Sequence, residues 1–309
     1  MSDRLARRYR DFARFEAHRS ALYGELGAGI AEDAELLRWL DELPVGKRQP
    51  NLVFASYRLV AGTPSGWAEF ETTIKDRRDE VEAVMLARRT QTNEAARCAL
   101  MLPLMAALPQ PIALLEVGAS AGLCLFPDRY GYDYDDGARV LGSGPPVLRC
   151  RTEGSPPLPH ALPEVVWRAG LDLDPIDVFD EERLRWLELL IWPGMEHRIE
   201  TLRSAVEVAR RDPPRIEQGD LRTDDLDELA AEAPRDATLV IFHTAVLAYV
   251  PRDGRAAFRG RVQRLGAAWF AAEAPDILGF EPHPNLMALA SGGERVAMVD
   301  GHGGFLSWG

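Results

Sequence analysis

Apolar residues recur at helical spacing along the first third of the chain. They lie three or four positions apart, so that each segment carries one apolar face, which predicts a series of amphipathic helices. Prolines and glycines interrupt the pattern between segments, as expected where helices end. We therefore predict a helical N-terminal cap region over residues 1–108. The predicted helical segments span about residues 12–26, 32–43, 51–60, 67–87 and 90–108.

From residue 109 onward, short apolar runs alternate with amphipathic segments. This alternation predicts an α/β domain, over residues 109–309, with a Rossmann-like, doubly wound and mostly parallel sheet. A hairpin around Asp136-Gly137 lies in a β-rich insertion at 131–163, and a C-terminal hairpin predicts an antiparallel edge. The predicted strands of the alternating pattern are 112–117, 165–174, 215–220, 238–244 and 267–273. The predicted helices are 123–130, directly after the Gly118–Gly122 turn, and 181–192, 193–211, 223–232 and 253–265.

Composition narrows the class of protein. The chain has 309 residues with 46% hydrophobic content, and no apolar run approaches the roughly 20 residues that span a bilayer. The basic N-terminus lacks the apolar core of a signal peptide, so we expect a cytoplasmic protein without a membrane partner. A net charge of −12 disfavours nucleic acid as a partner. The three cysteines and His302 show no metal-ligand spacing, and we expect no metal site.

The run Ile112–Leu125 organises the second part of the chain. An apolar strand ends at Glu116 and continues into a turn with Gly118 and Gly122, which we call the glycine turn (residues 118–122). Ser120 stands where the middle glycine of G-x-G-x-x-G would be. Carboxyl ends of parallel strands share one edge of the sheet, where ligands bind. The strand ends that should converge there are Glu116–Gly122, Asp172–Asp174, Gly219-Asp220, His243-Thr244 and Glu273.

This set of strand ends resembles class I S-adenosylmethionine-dependent methyltransferases. The resemblance implies that the glycine turn lies against the methionine part of the cofactor, that Asp172 accepts hydrogen bonds from the ribose hydroxyls, and that Gly219-Asp220 lies near the adenine. The end of the fourth strand would flank the methyl group. The cofactor-binding residues implied are Glu116, Gly118, Ser120, Gly122, Asp172 and Asp220.

The spacing departs from the usual pattern at one point. Glu116 and Asp172 are 56 residues apart (172 − 116), where about 20 are expected between the glycine motif and its acidic partner. The insertion at 131–163 accounts for the surplus. Asp133 or Asp135, at a nearer spacing, is the competing choice for the ribose ligand. We favour Asp172 because a strand precedes it.

Several polar residues are candidates for the reaction itself. His243, at the end of an apolar strand, is predicted as a general base with Glu273 second, although a hydrogen-bonded core histidine fits the same pattern. Gln91, Asn93 and Tyr249 are candidates for contacts with a small-molecule substrate. Thr92 or Asn93 could instead cap the helix that follows.

Six further motifs span most of the chain: Arg89–Glu94, Leu114–Leu123, Asp128–Tyr134, Trp167–Pro175, Trp192-Pro193 and Phe242–Tyr249. On these motifs the whole chain also resembles a narrower bacterial family, domain of unknown function (DUF) 2332. We expect an S-adenosylmethionine-binding methyltransferase that acts on a small molecule. A non-catalytic module that binds a nucleotide-like ligand, or another enzyme on the same scaffold, remains open because the fold does not determine the chemistry.

Overall fold

The computed structural model describes residues 2–91 and 93–309, without the side chain of Ser2. The chain divides into a helical unit, Met1–Thr92 with Glu181–Glu200, and a sheet unit, Asn93–Asp180 with Thr201–Gly309. The helices are α1 (Ser2–Glu16), α2 (Ala21–Glu32), α3 (Ala34–Glu42), α4 (Pro50–Ala61), α5 (Trp67–Asp76), α6 (Arg78–Ala87), α7 (Cys98–Ala106), α8 (Glu181–Leu190), α9 (Glu196–Arg211), α10 (Asp225–Ala230), α11 (Arg252–Leu265) and α12 (Pro275–Leu278). The strands are β1 (Ile112–Val117), β2 (Gly131–Tyr134), β3 (Arg139–Leu141), β4 (Val147–Glu153), β5 (Val165–Asp172), β6 (Arg215–Gln218), β7 (Thr238–Thr244), β8 (Ala268–Glu273), β9 (Met287–Ser291), β10 (Glu294–Val299) and β11 (Phe305–Trp308).

The predicted N-terminal helical region is confirmed. Side chains determine where its helices begin: Ser20 accepts a hydrogen bond from Tyr23 N at the start of α2, and Asp33 Oδ1 accepts from Leu36 N at 2.9 Å at the start of α3. The Ser20 cap divides the first predicted segment into α1 and α2. None of the helices in residues 2–91 and 93–309 is both long and apolar enough to cross a membrane.

The helical unit is built around an aromatic core. Phe54 lies at its centre, with ring centroids 4.7 Å from Tyr23 and 5.8 Å from Phe70. Arg58 ties α8 to α4 through hydrogen bonds from Nη1 to the carbonyl oxygens of Leu189 at 2.8 Å and Ile191 at 2.7 Å. A segment distant in sequence thus completes this core, because α8 contributes the buried Trp186 to it.

A single mixed sheet forms the centre of the sheet unit. Its strand order is β3-β2-β4-β11-β10-β9-β8-β7-β1-β5-β6. The strands from β8 to β6 pair in parallel, whereas β9 pairs antiparallel with β8 and β10. The prediction of an α/β fold with a largely parallel sheet and an antiparallel C-terminal hairpin is confirmed. The prediction that this hairpin forms an edge is wrong, because β11, β4, β2 and β3 continue the sheet beyond it. The hairpin at 131–163 joins this same sheet, because β4 pairs in parallel with β11.

Alternate residues of the parallel strands face opposite sides of the sheet. Leu115, Ile241 and Trp269 pack on one side with apolar residues of α10 and α11. Glu116 lies between Leu115 and Val117 and therefore faces the other side. Glu116 and Thr244 are both buried at the carboxyl ends of neighbouring strands.

Several predicted helices differ from the structure. The segment 67–87 forms two helices, α5 and α6, and α7 begins at Cys98 rather than at residue 90. The helix expected from the glycine turn to about Tyr130 is wrong; only a 3-10 turn, Leu123–Leu125, is present. Phe126 precedes Pro127, and a residue before proline avoids the helical region. Pro193 is not in the first turn of α9, because Gly194 adopts a φ of +92° and the helix begins at Glu196.

Candidate functional site

The glycine turn connects β1 to the 3-10 turn that follows it. Gly118, Ser120 and Gly122 have φ angles of +71°, +54° and +70°. The amides of Gly118 and Ala119 donate to the carbonyl oxygen of Leu171, at 2.8 and 3.3 Å. The turn is therefore attached to the end of β5, as expected for neighbouring parallel strands.

Both glycines are also required by close packing. A Cβ on Gly118 would lie 2.3 Å from Cγ2 of Val246, and a Cβ on Gly122 would lie 2.8 Å from Cδ1 of Ile216. These distances are shorter than carbon atoms tolerate, and positive φ adds strain for any other residue. The chain's own packing thus accounts for both glycines, so any case for a ligand depends on the polar residues beside them.

Asp172 lies against the glycine turn. Its Oδ2 accepts a hydrogen bond from Ser120 N at 2.7 Å, and its Oδ1 accepts from Asp174 N at 2.8 Å. The carbonyl oxygen of Asp172 accepts from Gly219 N at 2.9 Å, which brings the end of β6 to the same place. A carboxylate has about four lone-pair positions, so each oxygen of Asp172 keeps one for another donor.

The competing aspartates have other partners. Asp133 Oδ1 accepts from Gly137 N at 2.6 Å, inside the hairpin turn. Asp135 accepts from the amide and the hydroxyl of Thr152, both at 2.6 Å. The first contact closes the hairpin turn and the second ties that turn to β4, so among the three aspartates the structure brings Asp172 to the glycine turn.

Asp220 is at the end of β6, as predicted, but its carboxylate is already paired. The guanidinium of Arg222 lies 2.5 Å from it, and this pairing lowers the pKa of Asp220. The amide of Asp220 donates to Asp225 Oδ2 at 2.9 Å. The carboxylate could bind a ligand only by sharing with Arg222. The chain's own packing accounts for the neighbouring glycine, because a Cβ on Gly219 would lie 2.6 Å from Cδ1 of Leu171.

Glu116 and Ser120 bring two polar atoms into the interior of the sheet unit without partners. Glu116 Oε2 and Ser120 Oγ are buried and have no hydrogen-bond partner among residues 2–91 and 93–309. Burial raises the pKa of Glu116 well above its usual range, Cys124 and Asp172 raise it further, and Arg97 opposes them. A buried polar atom without a partner costs free energy, and such atoms recur at positions where ligands bind.

Asn93 spans the glycine turn. Its Nδ2 donates to the carbonyl oxygen of Ala119 at 3.1 Å, and its Oδ1 accepts from Leu123 N at 3.2 Å. Asn93 does not cap a helix, because α7 begins only at Cys98. The other candidate cap, Thr92, lies outside the described residues, and Gln91 is half-buried in the helical unit.

His243 and Glu273 form a fully buried pair. His243 Nδ1 lies 2.7 Å from Glu273 Oε1, and its Nε2 accepts a hydrogen bond from Trp269 Nε1 at 3.1 Å. The indole group can only donate, so Nε2 carries no proton and Nδ1 donates to Glu273. Both ring nitrogens have partners and the side chain does not reach solvent. His243 therefore has no nitrogen available for the role of general base predicted from the sequence.

Glu273 also holds the loop after β7. Its Oε1 accepts from the amides of Val246 at 2.8 Å and Leu247 at 3.0 Å. Val246 is the residue that packs against Gly118. The buried pair therefore positions the loop that covers the glycine turn at Gly118. Tyr249, predicted as a substrate contact, ends the next 3-10 turn with 76% of its surface exposed.

Arg97 was missed by the sequence reasoning. It is 95% buried, and it donates from Nε to Gly301 O at 2.8 Å and from Nη1 to Thr244 Oγ1 at 2.9 Å. Its signal in the sequence was one charged residue in the apolar stretch from Ala95 to Leu104, a position that requires buried partners. Arg97 links the segment before α7, the end of β7 and the loop before β11.

We predict that Gly118→Ala lowers the free energy of unfolding by roughly 2–5 kcal/mol, the sum of left-handed strain and overpacking against Val246. Urea unfolding measures it. Gly266→Ala is the matched control, because Gly266 has a φ of +65° and no atom within 4 Å of the added Cβ. The control should lose only the strain, about 1–2 kcal/mol. Equal losses in the two variants would contradict the packing role.

We predict that His243→Ala lowers the free energy of unfolding by about 3–5 kcal/mol, because it leaves Glu273 and the Trp269 indole without their buried partner. His18→Ala, at an exposed position, should change it by less than about 0.5 kcal/mol. A His243→Ala protein as stable as the native chain would show that the pair is not structural.

We predict that Glu116→Gln changes the pH dependence of stability. Because burial raises the pKa of Glu116, the folded protein retains the proton that the unfolded chain releases, and the native protein loses stability as pH rises through that interval. The amide does not ionise, so between mildly acidic and alkaline pH the melting temperature of Glu116→Gln should fall less than that of the native protein. Identical profiles for both proteins would contradict the raised pKa.

Comparison with known proteins identifies a family. A family model described as an uncharacterized protein conserved in bacteria (DUF2332) matches residues 6–308. Among curated proteins and among solved structures, none gives a significant match. Because the family match covers nearly the whole chain, this chain belongs to the bacterial DUF2332 family.

Proposed function

We propose that the sheet unit binds S-adenosylmethionine and that the protein transfers the methyl group to a small molecule. The strand order supports this proposal. Numbered along the chain, the five parallel strands stand in the order 3-2-1-4-5 across the sheet, with β1 between β5 and β7. In doubly wound, Rossmann-like sheets this is the arrangement whose crevice, beside the first strand's carboxyl end, binds nucleotides.

The proposal rests on the position of the Asp172 carboxylate. This carboxylate is held against the glycine turn by Ser120 N, and one lone pair on each oxygen remains available. Two adjacent acceptors match a vicinal diol such as ribose. Gly219, bonded to the backbone of Asp172, lies on the side where the adenine would follow.

Glu116 and Ser120 support binding of the amino acid part. An ammonium group near Glu116 Oε2 would satisfy an atom that is buried without a partner, and it would stabilise the ionised carboxylate. Ser120 Oγ offers a second acceptor or donor at the turn. The residues present therefore fit the cofactor at both its ribose and its amino acid ends.

The residues that bind the cofactor would contribute by positioning it. When bound, the cofactor would supply a methyl group on a positively charged sulfur, and the sulfur would leave as a nucleophile attacks the methyl carbon in line. The glycine turn and Asp172 would hold the donor still, and the acceptor would approach from the side of Thr244. His243 cannot remove the nucleophile's proton, because both of its ring nitrogens have partners.

A second candidate function is a non-catalytic module that binds a nucleotide-like ligand. The packing of Val246 and Ile216 against the two glycines favours it, since both glycines would be needed without any cofactor. The two functions share the carboxylate of Asp172. They differ in whether a methyl group is transferred once the ligand is bound.

We predict that the native protein binds S-adenosylhomocysteine with micromolar affinity in isothermal titration calorimetry. Asp172→Asn should weaken binding by roughly 10- to 100-fold, because the amide replaces one ligand acceptor and removes the charge. Asp136→Asn, in the exposed hairpin turn, is the matched control and should bind as the native protein does.

The outcomes separate the candidates. An intact, folded protein that does not bind S-adenosylhomocysteine would overturn the proposal. Equal affinity in Asp172→Asn and the native protein would remove the residue that carries it. Binding without methyl transfer to any acceptor in a broad panel of small molecules would favour the non-catalytic module.

A further inference from the structure

His302 is a second histidine of the sheet unit with a carboxylate beside it. Its Nδ1 lies 3.5 Å from Oε2 of Glu94, and Glu94 is 95% buried. The Nδ1 atom is itself buried, although 30% of the His302 side chain is exposed. The exposed part of the His302 side chain is therefore not the nitrogen that faces Glu94, whereas the side chain of His243 is enclosed on all sides.

The separation is that of an ion pair rather than a short hydrogen bond. Normal N–H···O distances are about 2.7–3.2 Å, and His302 Nδ1 has no hydrogen-bond partner among residues 2–91 and 93–309. Catalytic hydrogen bonds are often long before substrate binds and shorten in the complex. Glu94 is the acidic side chain within ion-pair distance of this nitrogen.

Short contacts connect this pair to the glycine turn. Asn93, the residue before Glu94, binds both Ala119 and Leu123 through its side chain. The carbonyl oxygen of Glu94 accepts from Cys124 Sγ at 3.3 Å, just beyond the turn. Glu94 is thus held at the edge of the sheet where the strand ends meet.

The loop that carries His302 is tied to the same place. Arg97 donates to Gly301 O and to Thr244 Oγ1, so it joins this loop to the end of β7. Asp300 Oδ1 accepts from His302 N at 2.8 Å and orders the loop itself. A Cβ on Gly303 would lie 2.3 Å from Ala96 O, which shows how closely the loop packs on the segment before α7.

We propose that His302 is the proton acceptor of the reaction and that Glu94 is its positioning residue. This inference rests on the proposed function. It adds a substrate class: small molecules whose reacting oxygen or nitrogen carries a proton, such as a phenol. Imidazole is the side chain that ordinarily exchanges a proton near neutral pH, and a carboxylate on Nδ1 directs the free lone pair to Nε2.

The step balances without a further reagent. The proton of the acceptor's O–H or N–H group moves to Nε2 of His302. The electron pair left on the oxygen or nitrogen forms the bond to the methyl carbon. The electron pair of the breaking carbon–sulfur bond stays on sulfur, so S-adenosylhomocysteine and the methylated acceptor are the products.

The ring tautomer of His302 tests the assignment without turnover. In protein with nitrogen-15-labelled histidine, long-range proton–nitrogen correlation spectra at alkaline pH should show His302 protonated on Nδ1 and bare on Nε2. His302→Asn assigns the resonance by removing it. A native His302 protonated on Nε2 would overturn the proposal, and this measurement needs no other variant to fold.

Two Glu94 variants separate positioning from mere structure. Glu94→Met removes the acceptor and should shift the His302 ring toward the Nε2–H tautomer, whereas Glu94→Gln keeps an acceptor oxygen and should restore Nδ1–H. Modification of His302 by diethylpyrocarbonate should slow by roughly two- to tenfold in Glu94→Met, because no carboxylate then favours the proton on Nδ1; this is the effect of one weak polar interaction. His18, which is exposed, should react equally in all three proteins. An unchanged tautomer and rate in Glu94→Met would overturn the role of Glu94.

Phenol is the probe for the substrate class. Added to the native protein with and without S-adenosylhomocysteine, it should shift the His302 ring resonances and leave those of His18 unchanged. Absence of any shift in both conditions would overturn the substrate class. If S-adenosylhomocysteine binds but the tautomer is wrong, this inference alone fails; if the tautomer is right but S-adenosylhomocysteine does not bind, the proposed cofactor alone fails.

Discussion

The site depends on how the backbone of the glycine turn is held in a left-handed conformation. Positive φ at Gly118, Ser120 and Gly122 is unfavourable for the serine, so other contacts must offset its cost. The carbonyl oxygen of Leu171 and the carboxylate of Asp172 supply them, by accepting hydrogen bonds from three consecutive amides of the turn. The acid expected to bind the ligand is thus also one that shapes its site.

A second carboxylate acts on the turn from the opposite strand. Glu273 accepts hydrogen bonds from two amides of the loop after β7, and that loop places Val246 against Gly118. His243 supplies a third donor to the same oxygen, and Trp269 fixes its tautomer. The most suggestive pair in the apolar part of the sequence therefore has a supporting role. The pair holds the loop whose Val246 side chain packs against Gly118.

Much of the fold could be predicted because the spacing of apolar residues and the positions of glycine and proline are local features of the sequence. The strands β1, β5, β7 and β8 and the C-terminal hairpin follow from apolar runs bounded by glycine, proline and acids. Pairing distant in sequence is different: nothing local indicates that β4 joins the sheet through β11, or that α8 belongs with the N-terminal helices. The short turn after Gly122 was missed because one proline, Pro127, outweighs an apolar helical pattern.

The candidate site shows the same division. Asp172 could be predicted because a strand end is a local feature, and its partner at Ser120 follows from the parallel pairing of β1 with β5. The choice between histidines could not, because it depends on which edge of each ring is exposed. A base must give one nitrogen to an orienting group and keep the other for substrate. Both ring nitrogens of His243 have partners, whereas His302 has Nδ1 toward Glu94 and a side chain that is 30% exposed. Exposure, rather than position in the strand pattern, therefore distinguishes the two histidines.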